Sequence, residues 1–139
     1  MPQVVFFSNR NETINGIIAQ HAPSGFHLTV LPPSTPEEEQ ISKVQDADFL
    51  MVFGFHPSAK VLRAARKARL LQLLSAGYEK VDLALLGEMG IPVSNVGGAN
   101  AEGVAEMAIT LMLAVYRRIL HLDRAVRQGL WLADVVSGT

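Results

Sequence analysis

The run FLMVF at residues 49–53 sets the strongest limit on the fold. A half-buried strand alternates apolar and polar residues, whereas one apolar at every position must be covered on both faces. Such a strand belongs inside a parallel sheet, whose crossover connections supply helices to both faces. The rest of the chain meets that demand. Runs at residues 4–7 (VVFF), 27–31 (HLTVL), 70–74 (LLQLL) and 91–96 (IPVSNV) read as further strands. Helical signals fall between them. Residues 11–20 carry Ile14, Ile17 and Ile18 at helical spacing. In PPSTPEEEQIS, Thr35 is placed to cap, Pro36 to open the helix and Glu38 to close a capping box. A helix over residues 57–68 puts Val61, Leu62 and Ala65 on one face. Asp82 caps a short helix that ends at Gly90, a left-handed C′ residue. One long helix is expected from Asn100 to about Arg127.

Five strands separated by helices predict an α/β fold: a flavodoxin-like, doubly wound parallel sheet of order 2-1-3-4-5, followed by the long helix. The chain's 139 residues are enough for one cored domain, and 49% hydrophobic content rules out general disorder. A net charge of −1, with scattered Lys and Arg, offers no footprint for nucleic acid or membrane. With no cysteine, disulfide scaffolds, thiolate metal sites and cysteine nucleophiles are excluded. The opening MPQVVFFSNR lacks a basic segment ahead of its short apolar run, so it does not read as a signal peptide. A cytoplasmic protein is expected.

Ligands of such sheets bind beyond the carboxyl ends of the strands, so the loops there carry the functional question. In NVGGANAEGVAE, Gly98 and Gly103 have P-loop spacing, but Val104 and Ala105 stand where Lys and Ser or Thr must reach phosphate and Mg²⁺. Gly97 and Gly98 are adjacent, which also breaks the dinucleotide pattern G-x-G-x-x-G. What remains is a turn and a helix N-terminus. SNRNET lacks the dense hydroxyls and glycine of an FMN phosphate loop, and Asn11 with Thr13 suits helix capping. Ser8, Asn9 and Gly54 stand where a receiver domain needs acids for Mg²⁺. His21, His27, His56 and His121 have no metal-ligand spacing, so no metal is expected. His56 lies at the ligand edge, where it either meets substrate or caps the next helix. In SAGYEKVD, the small residues Ser75, Ala76 and Gly77 follow the fourth strand. Their successive N–H groups can form a nest for a carboxylate, or they make an ordinary strand-to-helix turn.

The segment VAEMAITLMLAVY, residues 104–116, is interrupted only by Glu106 and Thr110. A helix apolar on nearly every side needs cover all round, and one small sheet covers one stripe. Another domain or a second copy must supply the rest.

These features together resemble the D-isomer-specific 2-hydroxyacid dehydrogenases. The family pattern is AG-x-D-x-VD, GI-x-V-x-N, N-x-x-x-VAE, a helix with R-R near its end, and then G-x-W. Here it is matched by Ala76 to Asp82, Gly90 to Asn95, Asn100 to Glu106, Arg117-Arg118 and Gly129 to Trp131, with Glu79 in place of the commoner Asp. The likeness is close in the second half of the chain and rests on strand order in the first.

The resemblance implies a two-domain enzyme that interconverts 2-oxo and D-2-hydroxy acids with NAD or NADP. Residues 1–99 would be its substrate-binding domain. Residues 100–139 would be the interdomain helix and the start of a cofactor domain cut short. The family's catalytic Arg, Glu and His belong to sequence beyond this chain, so no catalytic residue carries over. Backbone N–H groups of Ser75, Ala76 and Gly77 would receive the substrate carboxylate. Ala76 would sit near the nicotinamide, Asn100 would border substrate or nicotinamide ribose, and Val104 would pack on the cofactor's edge. Gly54, Phe55 and His56 would line the side-chain pocket, where an aromatic ring favours a small or apolar acid. The helix of residues 100–127 would also build a homodimer. The expected protein is the N-terminal part of such an oxidoreductase, inactive alone. The alternatives are a stand-alone flavodoxin-like binding or regulatory module descended from one, and, more remotely, an FMN-binding electron carrier.

Overall fold

The computed structural model describes residues 1–131, so residues 132–139, where the cofactor domain was expected to open, lie outside the described residues. The chain divides into two compact units, Met1–Gly97 and Gly98–Thr139.

The first unit is a five-stranded sheet of order β2-β1-β3-β4-β5. Its strands are β1 (Gln3–Ser8), β2 (His27–Leu31), β3 (Phe49–Phe53), β4 (Leu71–Leu73) and β5 (Val93–Ser94), and every pairing is parallel. Its helices are α1 (Glu12–Gln20), α2 (Glu37–Val44), α3 (Ala59–Ala64) and α4 (Leu83–Glu88). Fold class and strand order are those the alternation predicts. Val5 and Phe7 of β1, Val52 of β3, and Leu71 and Leu73 of β4 pack in one cluster with Val44, Val61, Leu62, Leu85 and Leu86 from α2, α3 and α4. The same strands turn Val4, Met51 and Gln72 toward Ile17 and Ile18 of α1, where an apolar groove of about 730 Å³ stays open. Strand residues alternate between these two faces, which is why FLMVF carries no polar position.

Local chemistry sets the helix ends. Asn11 accepts from the Ile14 N–H at 3.0 Å, and Asp82 from the Leu85 N–H at 3.0 Å. Gly90, at φ 69°, closes α4: its N–H bonds to the Gly87 carbonyl while Ile91 bonds to Leu86. That is a Schellman motif, in which glycine avoids the left-handed penalty. Two expected starts and one expected end differ. Pro36, not Thr35, is the N-cap of α2, no side-chain cap bond forms, and the Thr35 carbonyl accepts instead from Gln40 at 2.7 Å. Pro36 at ψ 144° stays extended, which shifts the helix start past it. In α3, Ser58 takes the cap and the helix stops at Ala64 rather than Ala68. The following turn buries Ala65 and Ala68 and returns the chain to the sheet, where the Arg69 N–H donates to the Asp48 carbonyl at 2.8 Å.

The second unit corrects the single long helix of residues 100–127. It contains α5 (Ala101–Tyr116) and α6 (Ile119–Arg127), separated by Arg118 at φ 50° and ψ 39°. A left-handed arginine costs about 1–2 kcal/mol. In return, the turn brings α6 into contact with α5, with Ala125 buried and Leu122 half-buried. Gly129, at φ 73°, ends α6 in a second Schellman motif, with Leu130 bonding to Ala125. No α5 residue is buried: Val104, Met107, Leu111 and Val115 are all exposed. Among the described residues no helix is long and apolar enough to cross a membrane.

Candidate functional site

Beyond β4 the chain runs through Leu74, Ser75, Ala76 and Gly77. The Leu74 N–H still belongs to the sheet, donating to the Val52 carbonyl at 2.9 Å. After it the loop's carbonyls and N–H groups part company. The Ser75 carbonyl accepts from the Val96 N–H at 3.2 Å. The Ala76 carbonyl accepts from Asn95 Nδ2 at 2.7 Å, and the Gly77 carbonyl from the Ser75 hydroxyl at 2.9 Å. The N–H groups of Ser75, Ala76 and Gly77 have no protein acceptor among the described residues. Three consecutive carbonyls are thus tied back into the protein, and three consecutive donors are left for something else. Asn95, the last residue of the Gly90 to Asn95 stretch, is the anchor of this loop. Its partner lies 19 residues away, a distance that no local spacing rule covers.

Glu79 adds a negative charge to this loop. Its Oε2 lies 2.8 Å from where a Cβ on Gly77 would stand, so the carboxylate folds back over the glycine. An anion arriving at Gly77 meets that charge, and the side chain can swing away to admit it.

Beyond β3, Gly54 has φ 73° and carries an isolated bridge to Ser8. Phe55 turns inward, its ring edge-on to Phe7 at 5.8 Å between centroids and 69° between planes. Most of that ring serves the core, which weakens any inference about substrate from its aromaticity. His56 lines a small cavity of about 220 Å³ with Lys80 and Asp82. Burial, and next the Lys80 ammonium, hold the His56 pKa below its ordinary value. The imidazole is therefore neutral at pH 7, able to donate from one nitrogen and accept at the other. It does not cap α3, a role taken by Ser58, whose hydroxyl accepts from the Val61 N–H.

In the second unit, Asn100 and Val104 line a shallow apolar concavity of about 550 Å³ with Gly103, Met107 and Leu111. Asn100 is the N-cap of α5 but makes no side-chain cap bond, so its amide stays available. The structure thus sets Ser75, Ala76 and Gly77 in one loop, His56 in a separate cavity of the same unit, and Asn100 with Val104 on one face of α5. Among the described residues no group of His, Asp or Glu gathers as a metal ion requires.

The first unit is thus an α/β fold built on a doubly wound parallel sheet, with free backbone donors beyond its fourth strand. More narrowly, the chain belongs to the family of the D-isomer specific 2-hydroxyacid dehydrogenase catalytic domain, whose model matches residues 4–134. It is similar to the glyoxylate reductase of Korarchaeum cryptofilum, 36% identical over 109 residues, covering 76% of this chain and 33% of that protein. It is also similar to glyoxylate/hydroxypyruvate reductase B of Erwinia tasmaniensis, 27% identical over 140 residues, with 98% and 42% covered. Among solved structures, the NADPH-dependent glyoxylate/hydroxypyruvate reductase of Sinorhizobium meliloti, in complex with NADP and malonate, shares the fold. The TM-score is 0.73 at 22% identity, covering 94% of this chain and 39% of that one. The chain spans about a third of the length of the curated relatives it matches, the part corresponding to their catalytic domain.

Proposed function

We propose that this chain is the substrate-binding part of an oxidoreductase that transfers a hydride between NAD(P)H and a small 2-oxo or D-2-hydroxy acid, and that it turns over no substrate by itself. One observation carries the reading. The carbonyls of Ser75, Ala76 and Gly77 are all bonded, while their N–H groups face no protein acceptor among the described residues. That is the arrangement a carboxylate needs, and family membership supports reading it as the carboxylate of a 2-oxo or 2-hydroxy acid.

In this reading residues 1–99 form the substrate domain and residues 100–139 lead into the cofactor domain. Ser75, Ala76 and Gly77 hold the acid's carboxylate, and Ala76 borders the nicotinamide. Neutral His56 and the outer edge of Phe55 stand on the side-chain end of the substrate. Asn100 offers its free amide to substrate or ribose, and Val104 presents an apolar edge to the cofactor. The nicotinamide cofactor supplies the hydride. The chain has no G-x-G-x-x-G stretch to hold its diphosphate, so these residues meet only the cofactor's reactive end. The exposed apolar faces of α5 pair with a second copy, giving a homodimer. We place the enzyme in the cytoplasm.

Calorimetric titration with pyruvate and with its uncharged methyl ester tests the assignment. Binding of the acid but not of the ester, with no oxidation of NADH when pyruvate and cofactor are present together, is the expected result. Equal binding of acid and ester, or no binding of either, refutes the carboxylate site. NADH turnover by this chain refutes its role as a partial enzyme.

A further inference from the structure

The basic residues, scattered over most of the chain, concentrate at one place. Residues 59–69 read AKVLRAARKAR and hold Lys60, Arg63, Arg66, Lys67 and Arg69 with no acid between them. Three of these have partners from other segments: Lys60 pairs with Glu37, Lys67 with Asp46 and Arg69 with Asp48. Arg63 and Arg66 make no ion pair among the described residues. With Gln45, Ala64 and Lys67 they line one concavity of about 430 Å³. A cation in the last turn of a helix offsets the dipole there, and Arg63 in the last turn of α3 meets that need. Arg66 lies past the helix end, where neither the last turn nor an acid calls for it.

The backbone holds these cations outward. After α3 the Ala65 N–H donates to the Leu62 carbonyl and the Arg66 N–H to the Ala64 carbonyl, both at 2.9 Å, and the Ala68 N–H to the Ala65 carbonyl at 3.1 Å. Ala65 and Ala68 are buried, so Arg66 and Lys67 between them are turned to solvent. The acid tied to this cluster is Asp46, through Lys67. Three cations against one acid leave a surplus of two positive charges. A phosphate monoester carries about −1.5 to −2 at pH 7, and guanidinium forks match its oxygens in bidentate fashion. The volume falls within the roughly 300–1,000 Å³ of small-molecule sites, which favours a small ligand over a macromolecular surface. The concavity lies at the amino end of the sheet. Gln45 and Asp46 precede β3, and Arg66 and Lys67 precede β4, where the Arg69 N–H donates to the Asp48 carbonyl at 2.8 Å. Ser75, Ala76 and Gly77 follow β4, at the opposite, carboxyl end.

We propose that Arg63, Arg66 and Lys67 form a binding site for the phosphate group of a small molecule, separate from the carboxylate loop at the other end of the sheet. Arg63 and Arg66 bind the phosphate oxygens through their guanidinium forks, Lys67 adds a point charge, and the Gln45 amide adds a neutral donor. This site stands independently of the one at Ser75, Ala76 and Gly77.

Inorganic pyrophosphate is the probe, added at constant ionic strength to the ¹⁵N-labelled 139-residue chain, whose amide spectra also show that each variant is folded. The amides of Gln45 and of Ala64 to Lys67 should shift along one saturable curve. Arg66→Gln should weaken binding about tenfold. Arg66→Lys should weaken it less, since lysine keeps the charge and loses the fork. Asp46→Asn should tighten it by removing the opposing charge. Lys43→Gln removes the cation in the last turn of α2, which does not line the concavity, and should leave the affinity unchanged. Shifts that grow without saturating overturn the proposal. So does a loss in Lys43→Gln equal to that in Arg66→Gln, because the segment then acts only as a diffuse charge.

Discussion

Gly54→Ala strikes the junction of the first and third strands, and its cost can be worked from two separate sources. Gly54 holds φ 73°, where an L-residue loses about 1–2 kcal/mol. Its new Cβ would also stand 2.2 Å from Asn9 Oδ1 and 2.7 Å from Asn9 Cγ. No Cβ tolerates such contacts, so the Asn9 side chain must leave its rotamer, at about 0.5–1.5 kcal/mol. Together the variant should lose about 2–3 kcal/mol in urea unfolding, with an unchanged m-value. The two sources separate in a double-mutant cycle. Asn9→Ala removes the obstacle and leaves the backbone strain, so Gly54→Ala should cost about 1 kcal/mol less in that background. A cost below about 0.5 kcal/mol, or no coupling to Asn9, would show that the junction is not packed as described.

Other consequences follow from the same geometry. Glu79→Gln removes the charge lying over Gly77 and should strengthen oxo-acid binding about two- to fivefold in low salt, an effect that shrinks as salt is added. Calorimetry at two ionic strengths checks this, and unchanged affinity would mean that the carboxylate does not face the ligand. Asn95→Ala frees the Ala76 carbonyl and should cost about 1 kcal/mol of stability while weakening acid binding; affinity that survives intact would argue that the loop needs no anchor. His56 resists protonation in the folded chain, by burial first and by Lys80 second, so below about pH 6.5 the unfolded chain binds more protons. Stability should therefore fall as pH drops through that value toward the depressed folded pKa, and His56→Gln should flatten this part of the curve. Denaturation midpoints between pH 5 and 8 give the answer, and a slope that persists in the variant would assign it to another group.

Much of the architecture was legible because it is written in short periods. FLMVF demanded two covered faces, and the alternation of strands and helices led to the sheet order observed. Gly90 announced its Schellman motif from position alone. The errors arose where the deciding interaction is not local. Nothing in RRIL signals a stop, since neither glycine nor proline is present, yet Arg118 takes left-handed angles there and the chain turns into α6. Thr35 and Glu38 have capping-box spacing, but extended Pro36 between them shifts the helix start. At the site, motif spacing singled out Ser75, Ala76 and Gly77, yet could not show that their carbonyls are bonded and their N–H groups free. Nor could it bring Asn95 to Ala76 or Asn9 to Gly54, because each pair meets across neighbouring strand ends.

The central claim is that three backbone N–H groups receive the carboxylate of a 2-oxo acid. Backbone amide shifts of the ¹⁵N-labelled chain, recorded while oxamate is added, address it residue by residue. The amides of Ser75, Ala76 and Gly77 should move together and saturate along one binding curve, with those of the α2 and α3 helices unmoved. Saturable shifts elsewhere with these three unchanged, or no saturable shift at all, would contradict it.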